Sequence, residues 1–297
     1  MRENLPRPSG GVTLGRFLIW TGIIISAFVF LESWMEISEQ NFGFVKLFHD
    51  AGFTGYKPAT APSKGIWHLV GGIGSACFVI MMLYSVRKRF KLMTDVGPIR
   101  YWLDIHMFLG IVGTVLVTAH STYKFGGIVA LSYWSAVLVA VSGFLGRYLY
   151  VHIPRTVSGN ELRMEDLNAL MDELNTEIAK YAAGSRLAEL IEKTLPKERE
   201  AGGDVSALFS MVADDFANIR SMGRVRAELK RDRKTPSHVK LRLFWLIQQK
   251  RRLLRSHMFL DVSHRLLHHW HIFHKPFAII MFIVMFLHIA VYYVFKV

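Results

Sequence analysis

The amino-acid sequence predicts an all-α membrane protein with five transmembrane helices and a helical insertion between the fourth and the fifth. Three observations support this fold class. The chain of 297 residues is 52% hydrophobic and has a mean hydropathy of +0.27. It is also 20% charged, and the charges are concentrated between residues 147 and 274. Outside that region, five apolar runs approach the roughly 20 residues that a helix needs to cross a bilayer.

The five apolar runs are interpreted as helices because only a helix satisfies every backbone polar group within a single span. They cover residues 14–34, 66–86, 101–122, 127–151 and 275–295. Within the insertion, residues 159–184 and 204–231 repeat apolar side chains at helical spacing. We therefore divide the chain into four membrane helices within residues 1–151, a helical insertion of residues 152–270, and a fifth membrane helix within residues 271–297.

Basic residues predict the orientation of the chain in the membrane. The formal net charge is +13 and the pI is about 9.9. Basic clusters lie in the N-terminal tail, between the second and third runs, and in the insertion. The loop after the first run is acidic, with Glu32, Glu36, Glu39 and Asp50. The positive-inside rule places the N-terminus and the insertion in the cytoplasm and the C-terminus on the opposite side. The positive-inside rule accounts for the excess of basic residues, so we expect no nucleic-acid partner.

Cysteine usage limits the cofactors that the chain can hold. Cys77 is the single cysteine, so an internal disulfide, a CxxC zinc site, a c-type haem attachment and a four-thiolate iron–sulfur cluster are all excluded. The chain has 13 histidines, and histidine is therefore the expected ligand of any metal or redox cofactor.

Four histidines carry the functional prediction. His106 and His120 lie on the third span, and His274 and His288 lie on the fifth (120 − 106 = 14 and 288 − 274 = 14). Fourteen residues bring a helical side chain back to within roughly 40° of its direction and about 21 Å along the axis. Both spans are odd-numbered and cross in the same direction. His106 and His274, here named pair I, should therefore share one depth, and His120 and His288, named pair II, another.

Two imidazoles that face each other at one depth form the ligand set of a six-coordinate haem iron. The sequence thus predicts a haem-binding bundle with two b-type haems, one at each pair. Gly110 and Gly113 lie between the ligands of the third span, where a flat macrocycle needs a helix face without bulk, although small residues also allow helices to pack closely. Cationic residues near the membrane surface are candidates for the haem carboxylates or for lipid headgroups: Arg100, Arg147 and Lys275 at pair I and Lys124 at pair II.

The remaining histidines are less informative. Only His274 is in helical phase with His288, and the other histidines of the 264–274 cluster are not. Zinc is the alternative metal for so dense a cluster of histidines, but a zinc site there would not explain the two histidines of the third span. His68, on the second span, has no matching partner and is interpreted either as lining a quinone pocket or as a packing residue.

The four ligands and the glycines between them resemble the dihaem cytochrome b superfamily. This group includes the cytochrome b of respiratory bc complexes, the membrane domains of ferric reductases and NADPH oxidases, and cytochrome b subunits of bacterial respiratory oxidoreductases. In ferric-reductase-like domains the ligands also lie on the third and fifth helices. Ferric reductases and NADPH oxidases usually continue into a flavin and nicotinamide domain, whereas this chain extends nine residues beyond His288, so we expect no such domain here.

The expected function is that of an electron-transfer subunit in the bacterial inner membrane, because bis-histidine iron has no open position for substrate. The subunit would relay electrons between a quinone pool, or a cytoplasmic flavin or iron–sulfur partner, and an outer acceptor or donor such as a c-type cytochrome. Two alternatives remain open. One is a self-standing transmembrane ferric or quinone reductase. The other is a non-redox transporter or scaffold subunit, and a transporter should show broken helices and intramembrane carboxylates.

Overall fold

The structure is a computed structural model that describes residues 11–37, 43–55, 65–90, 95–153, 164–182, 204–231 and 235–295. Within these ranges the chain is helical and contains no strand. The helices of the described ranges are α1 (Gly11–Ile37), α2 (Phe44–Asp50), α3 (Gly65–Phe90), α4 (Ile99–His120), α5 (Val129–His152), α6 (Met164–Ala182), α7 (Asp204–Arg231) and α8 (Ser237–Phe295).

Five of these helices are long and apolar enough to cross a membrane. The segments are Leu14–Glu36, Ile66–Phe90, Ile99–His120, Val129–His152 and His257–Phe295. Large apolar side chains on α1 face outward, and Phe17, Trp20 and Ile24 are each about 65% exposed. Such exposure is unfavourable in water but not in lipid. The predicted all-α class with five spans is confirmed, while the cytoplasmic location of the insertion stays a prediction.

The last helix begins earlier than the sequence suggested. We expected a separate fifth helix after residue 270, but α8 begins at Ser237 and continues to Phe295, with Pro276 in its interior. Residues 237–270 are rich in Leu and Arg, which are strong helix formers, and contain neither Gly nor Pro. Near residue 270 the polarity of the side chains therefore changes, whereas their helix propensity does not.

The chain separates into two compact units, which we describe one at a time. The membrane unit contains the described residues within Leu5–Leu145 and His271–Val297, and the insertion unit contains those within Gly146–Trp270. The sequence interpretation placed the corresponding boundaries after residues 151 and 270. Both α5 and α8 contribute residues to both units.

In the membrane unit, α4 packs closely against α3 and α1. Glycines make the α3–α4 contact possible, because a Cβ on Gly74 would lie 2.9 Å from Val117 Cγ1 and a Cβ on Gly113 would lie 3.0 Å from Phe78 Cε1. Real Cβ atoms hardly ever approach so closely. The core includes the buried residues Phe78 and Met81 of α3, Ala136 of α5, and Met281 and Met285 of α8.

In the insertion unit, α6 and α7 occupy the positions that helical spacing predicted and pack against the first part of α8. Leu174, Val225 and Leu246 are among the side chains of this core. A polar link joins three helices nearby, since Asp215 of α7 accepts hydrogen bonds from Tyr148 of α5 and from Arg255 of α8. Arg255 is only 8% exposed, so a carboxylate partner offsets the cost of burying its charge.

Candidate cofactor site

The structure brings the four histidines together as the two predicted pairs. His120 and His288 line one cavity of about 490 Å³ in the membrane unit. His106 and His274 line a second, much smaller cavity of about 30 Å³. Because the two N-terminal histidines meet and the two C-terminal histidines meet, α4 and α8 run in the same direction, as the matched spacing of 14 residues requires.

The rings of pair II are at a distance that suits a shared metal ion. The ring centroids of His120 and His288 are 6.4 Å apart, and the ring planes are inclined by 60°. With metal–nitrogen bonds of about 2 Å, two imidazoles on opposite sides of one ion have centroids roughly 6 Å apart. The observed separation is compatible with one metal ion between the rings.

Backbone carbonyls of α3 fix the tautomer of both histidines on α4. Nδ1 of His106 lies 3.0 Å from the carbonyl oxygen of Met81, and Nδ1 of His120 lies 2.8 Å from that of Trp67. A carbonyl oxygen can only accept, so Nδ1 carries the proton in each ring and the lone pair lies on Nε2. Metal-bound histidines in proteins usually donate their second ring nitrogen in this way.

His274 has the same tautomer for a different reason. Its Nδ1 lies 2.9 Å from Oγ of Ser142 on α5. The Ser142 hydroxyl donates to the carbonyl oxygen of Val139 at 3.0 Å, so its oxygen accepts the proton on Nδ1 of His274. The lone pair of this ring is again on Nε2, which makes His274 and His106 chemically equivalent donors in pair I.

The supporting carbonyls were not predicted from the sequence. Trp67 and Met81 are themselves 14 residues apart (81 − 67 = 14), so α3 repeats the spacing of the ligands that it orients. Every residue has a carbonyl oxygen, and no residue type marks the ones that accept from a ligand. Only the packing of α3 on α4 reveals them.

The glycines have more varied roles than we expected. Gly110 lines the cavity of pair I. Gly113 lies at the α3–α4 contact, and its expected role beside a macrocycle stays a prediction. Gly71 on α3 is the most constrained, because a Cβ there would lie 2.4 Å from Nδ1 of His120. The absence of a side chain at Gly71 therefore leaves the space that the ring of His120 occupies.

Three of the four predicted cationic residues lie outside the linings of both cavities. Arg100, Lys124 and Lys275 belong to the described residues and line neither cavity. Arg100 lies over the ring of Tyr101 at 5.1 Å, and both lysines are exposed. Arg147 belongs to the insertion unit. The assignment of these cations to haem carboxylates remains a prediction.

The two pairs differ in how well a haem fits. The histidine donors are suitable at both pairs. The space is suitable at pair II, since ligand pockets typically measure about 300–1,000 Å³. At pair I, Phe78, Met81 and Met281 occupy the space, and a macrocycle would require them to move. Methionine is unbranched and adapts readily to a changed cavity, so the two methionines are the side chains expected to move.

The zinc alternative finds no support in the described part of the chain. Among those residues, no group of three or more His, Cys, Asp or Glu side chains could hold a metal ion. Apart from His274, the histidines of the 264–274 cluster are exposed or half-buried on the surface of α8.

Comparisons with known protein families, with curated proteins and with solved structures found no match for this chain. A functional conclusion therefore depends on the geometry and chemistry of the two histidine pairs.

Proposed function

We propose that the protein is a dihaem cytochrome b subunit that relays single electrons across a membrane. One observation carries this proposal. Two parallel membrane helices bring four histidines together as two pairs at separate cavities, and in three of these rings a hydrogen bond at Nδ1 leaves the lone pair on Nε2. A histidine that served only for packing would not need a partner of its own kind at the same depth.

Haem bound between two imidazoles supplies one-electron oxidation and reduction of iron, with no open coordination position for substrate. The residues of the chain perform the remaining tasks. The carbonyl oxygens of Met81 and Trp67 orient the ligands, and apolar side chains such as Phe78 and Met285 exclude water. The two pairs are about 21 Å apart along the helix axes, which spans most of a hydrocarbon core about 30 Å thick.

The proposed setting is the bacterial inner membrane, with the N-terminus and the insertion unit in the cytoplasm and the C-terminus in the periplasm. Substrate chemistry then belongs to a quinone or to partner subunits, namely a cytoplasmic flavin or iron–sulfur protein and an outer redox protein such as a c-type cytochrome. The chain acts as the electron-transfer subunit of a larger oxidoreductase.

An apolar stripe on α7 supports the proposal of a partner subunit. Five apolar side chains at alternating spacings of four and three residues share one face: Val205, Phe209, Val212, Phe216 and Ile219. They are between 37% and 71% exposed, whereas Met211 and Val225 are buried in the core of the insertion unit. Exposed apolar surface of this extent commonly marks a contact with another protein.

Purification of the chain from membranes and measurement of its absorption spectrum test the proposal. We expect b-type bands that sharpen on reduction and two haems per chain. His120→Ala or His288→Ala should remove the haem of pair II and retain most of the haem of pair I. His106→Ala or His274→Ala should have the converse effect, because one axial ligand is lost in each case.

His268→Ala is the matched control. His268 is an exposed histidine on the same helix as His274 and His288 but lies outside both cavities, so this variant should retain both haems. A wild-type chain that binds no haem would refute the proposal. Retention of both haems after any of the four ligand substitutions would refute the assignment of that ligand.

A further inference from the structure

His68 lines the cavity of pair II, although no partner for it was predicted from helical spacing. It lies in the first turn of α3. Its ring centroid is 4.6 Å from that of Tyr292 on α8, and the two ring planes are inclined by 35°. The same cavity is therefore lined by three histidines, two of which are the proposed iron ligands.

The cavity of pair II is otherwise poor in charge. Its lining contains no Lys, Arg, Asp or Glu. Besides the two ligands, the polar side chains of the lining are neutral hydroxyls and His68; the hydroxyls are those of Ser75, Ser121, Ser132, Tyr133, Tyr292 and Tyr293. Lys124 is exposed and does not line the cavity, so His68 is the imidazole of the lining that remains available as an N–H donor once His120 and His288 are assigned to the iron.

A haem would bring two carboxylates into this cavity, and a carboxylate without partners in apolar surroundings is costly. His68 is suited to offset that cost. An imidazole N–H donates to a carboxylate, and the bond is strengthened by the charge of the acceptor. The position in the first turn of α3 adds the positive end of the helix dipole.

We propose that His68 binds a carboxylate of the porphyrin held by pair II. This inference rests on the proposed function, since it requires a haem at that pair. His68 thus positions the porphyrin within its cavity, while His120 and His288 hold the iron. Tyr292, whose ring packs on that of His68, keeps the imidazole at the cavity wall.

The test compares two porphyrins and two substitutions. Full-length protein stripped of haem is titrated with haem and with the dimethyl ester of haem, which has no free carboxylate. His68→Ala should weaken haem binding at pair II about ten-fold, which is the factor that 1.4 kcal/mol represents. The same variant should bind the ester as the wild type does. His68→Gln, which retains an N–H donor, should recover most of the affinity for haem.

His268→Ala is the control, because it removes an exposed imidazole that lies outside both cavities and should leave both affinities unchanged. Equal weakening of haem and ester by His68→Ala would show a merely structural role and overturn the inference, as would unchanged haem binding. Both of those outcomes require a wild type that binds two haems. A wild type without haem would instead refute the proposed function.

Discussion

At the scale of single residues, the surroundings of His120 combine three features that suit a histidine in a membrane. Its Nδ1 has a carbonyl acceptor, its ring lies near that of His288, and a glycine on the neighbouring helix leaves space for it. An imidazole without these partners would be an unsatisfied polar group in hydrocarbon, at a cost of several kcal/mol. The local environment of His120 is therefore the one that the proposed haem ligation requires.

Gly71 gives a sharp test at this scale. Gly71→Ala should displace the ring of His120 and remove the haem of pair II, because the new Cβ would lie 2.4 Å from Nδ1. The haem of pair I should remain. Counting haems per chain in the purified variant measures the effect.

The control for Gly71→Ala is the same change at Gly223, a helical glycine of α7 with no atom within 4 Å of the added Cβ. There the substitution should leave both haems in place and stabilise the helix by about 0.5–1 kcal/mol. If Gly71→Ala retained two haems, the close approach of α3 to His120 would not matter for ligation.

At the scale of elements, the short helix α2 depends on a carboxylate from α1. Oε2 of Glu32 accepts the backbone N–H of Phe44 at 2.8 Å, and Oε1 accepts that of Val45 at 2.7 Å. Glu32 is 4% exposed, so its charge is buried and held by the positive end of α2. A Cβ on Gly43 would lie 2.9 Å from Oε1, so a larger residue at this position would require the Glu32 carboxylate to shift.

Glu32→Ala should release α2, because it removes two hydrogen bonds to a charged acceptor, each worth about 1.5–3 kcal/mol. Hydrogen exchange of the peptide that contains residues 43–50 should become at least about ten-fold faster, while exchange within α4 should not change. Glu32→Gln retains one acceptor oxygen and should give an intermediate rate. Unchanged exchange in Glu32→Ala would mean that other contacts hold α2.

At the scale of the whole molecule, the insertion unit is stabilised by the link of Asp215 with Tyr148 and Arg255. Burial opposes ionisation of the carboxyl, but hydrogen bonds from Arg255 and Tyr148 outweigh burial and hold the pKa of Asp215 below its usual range. His152 Nε2 lies 3.6 Å from the same carboxylate. A carboxyl whose pKa is lower in the folded state stabilises that state above its unfolded pKa, about 3.9.

Asp215→Asn should therefore lower the unfolding temperature at pH 7. The difference from the wild type should disappear as the pH falls below about 4 and through the folded pKa, since the wild-type carboxyl is then protonated as well. Thermal unfolding in detergent between pH 7 and pH 3 measures the difference. Asp172→Asn, on the exposed face of α6, is the control and should show little effect at any pH. A constant difference across this range would show that ionisation of Asp215 is not what stabilises the link.

Much of this protein could be predicted from its sequence by itself. Apolar runs of sufficient length determine the membrane spans, because within a single span only a helix satisfies every backbone polar group. Periodicity predicted both pairs of histidines, since a helix repeats its directions after a fixed number of residues. The start of α8 was missed because polarity changes at residue 270 while helix propensity does not.

Only the tertiary structure decided what surrounds the histidines. The carbonyl oxygens of Trp67 and Met81, the space left by Gly71 and the position of His68 depend on how α3 packs against α4 and how α8 lies across the cavity. Gly113 and the predicted cations were assigned from position along the chain, and their roles beside a haem stay predictions. The physical reason is that periodicity fixes direction within one helix, whereas partners depend on the packing between helices, which a single helix does not encode.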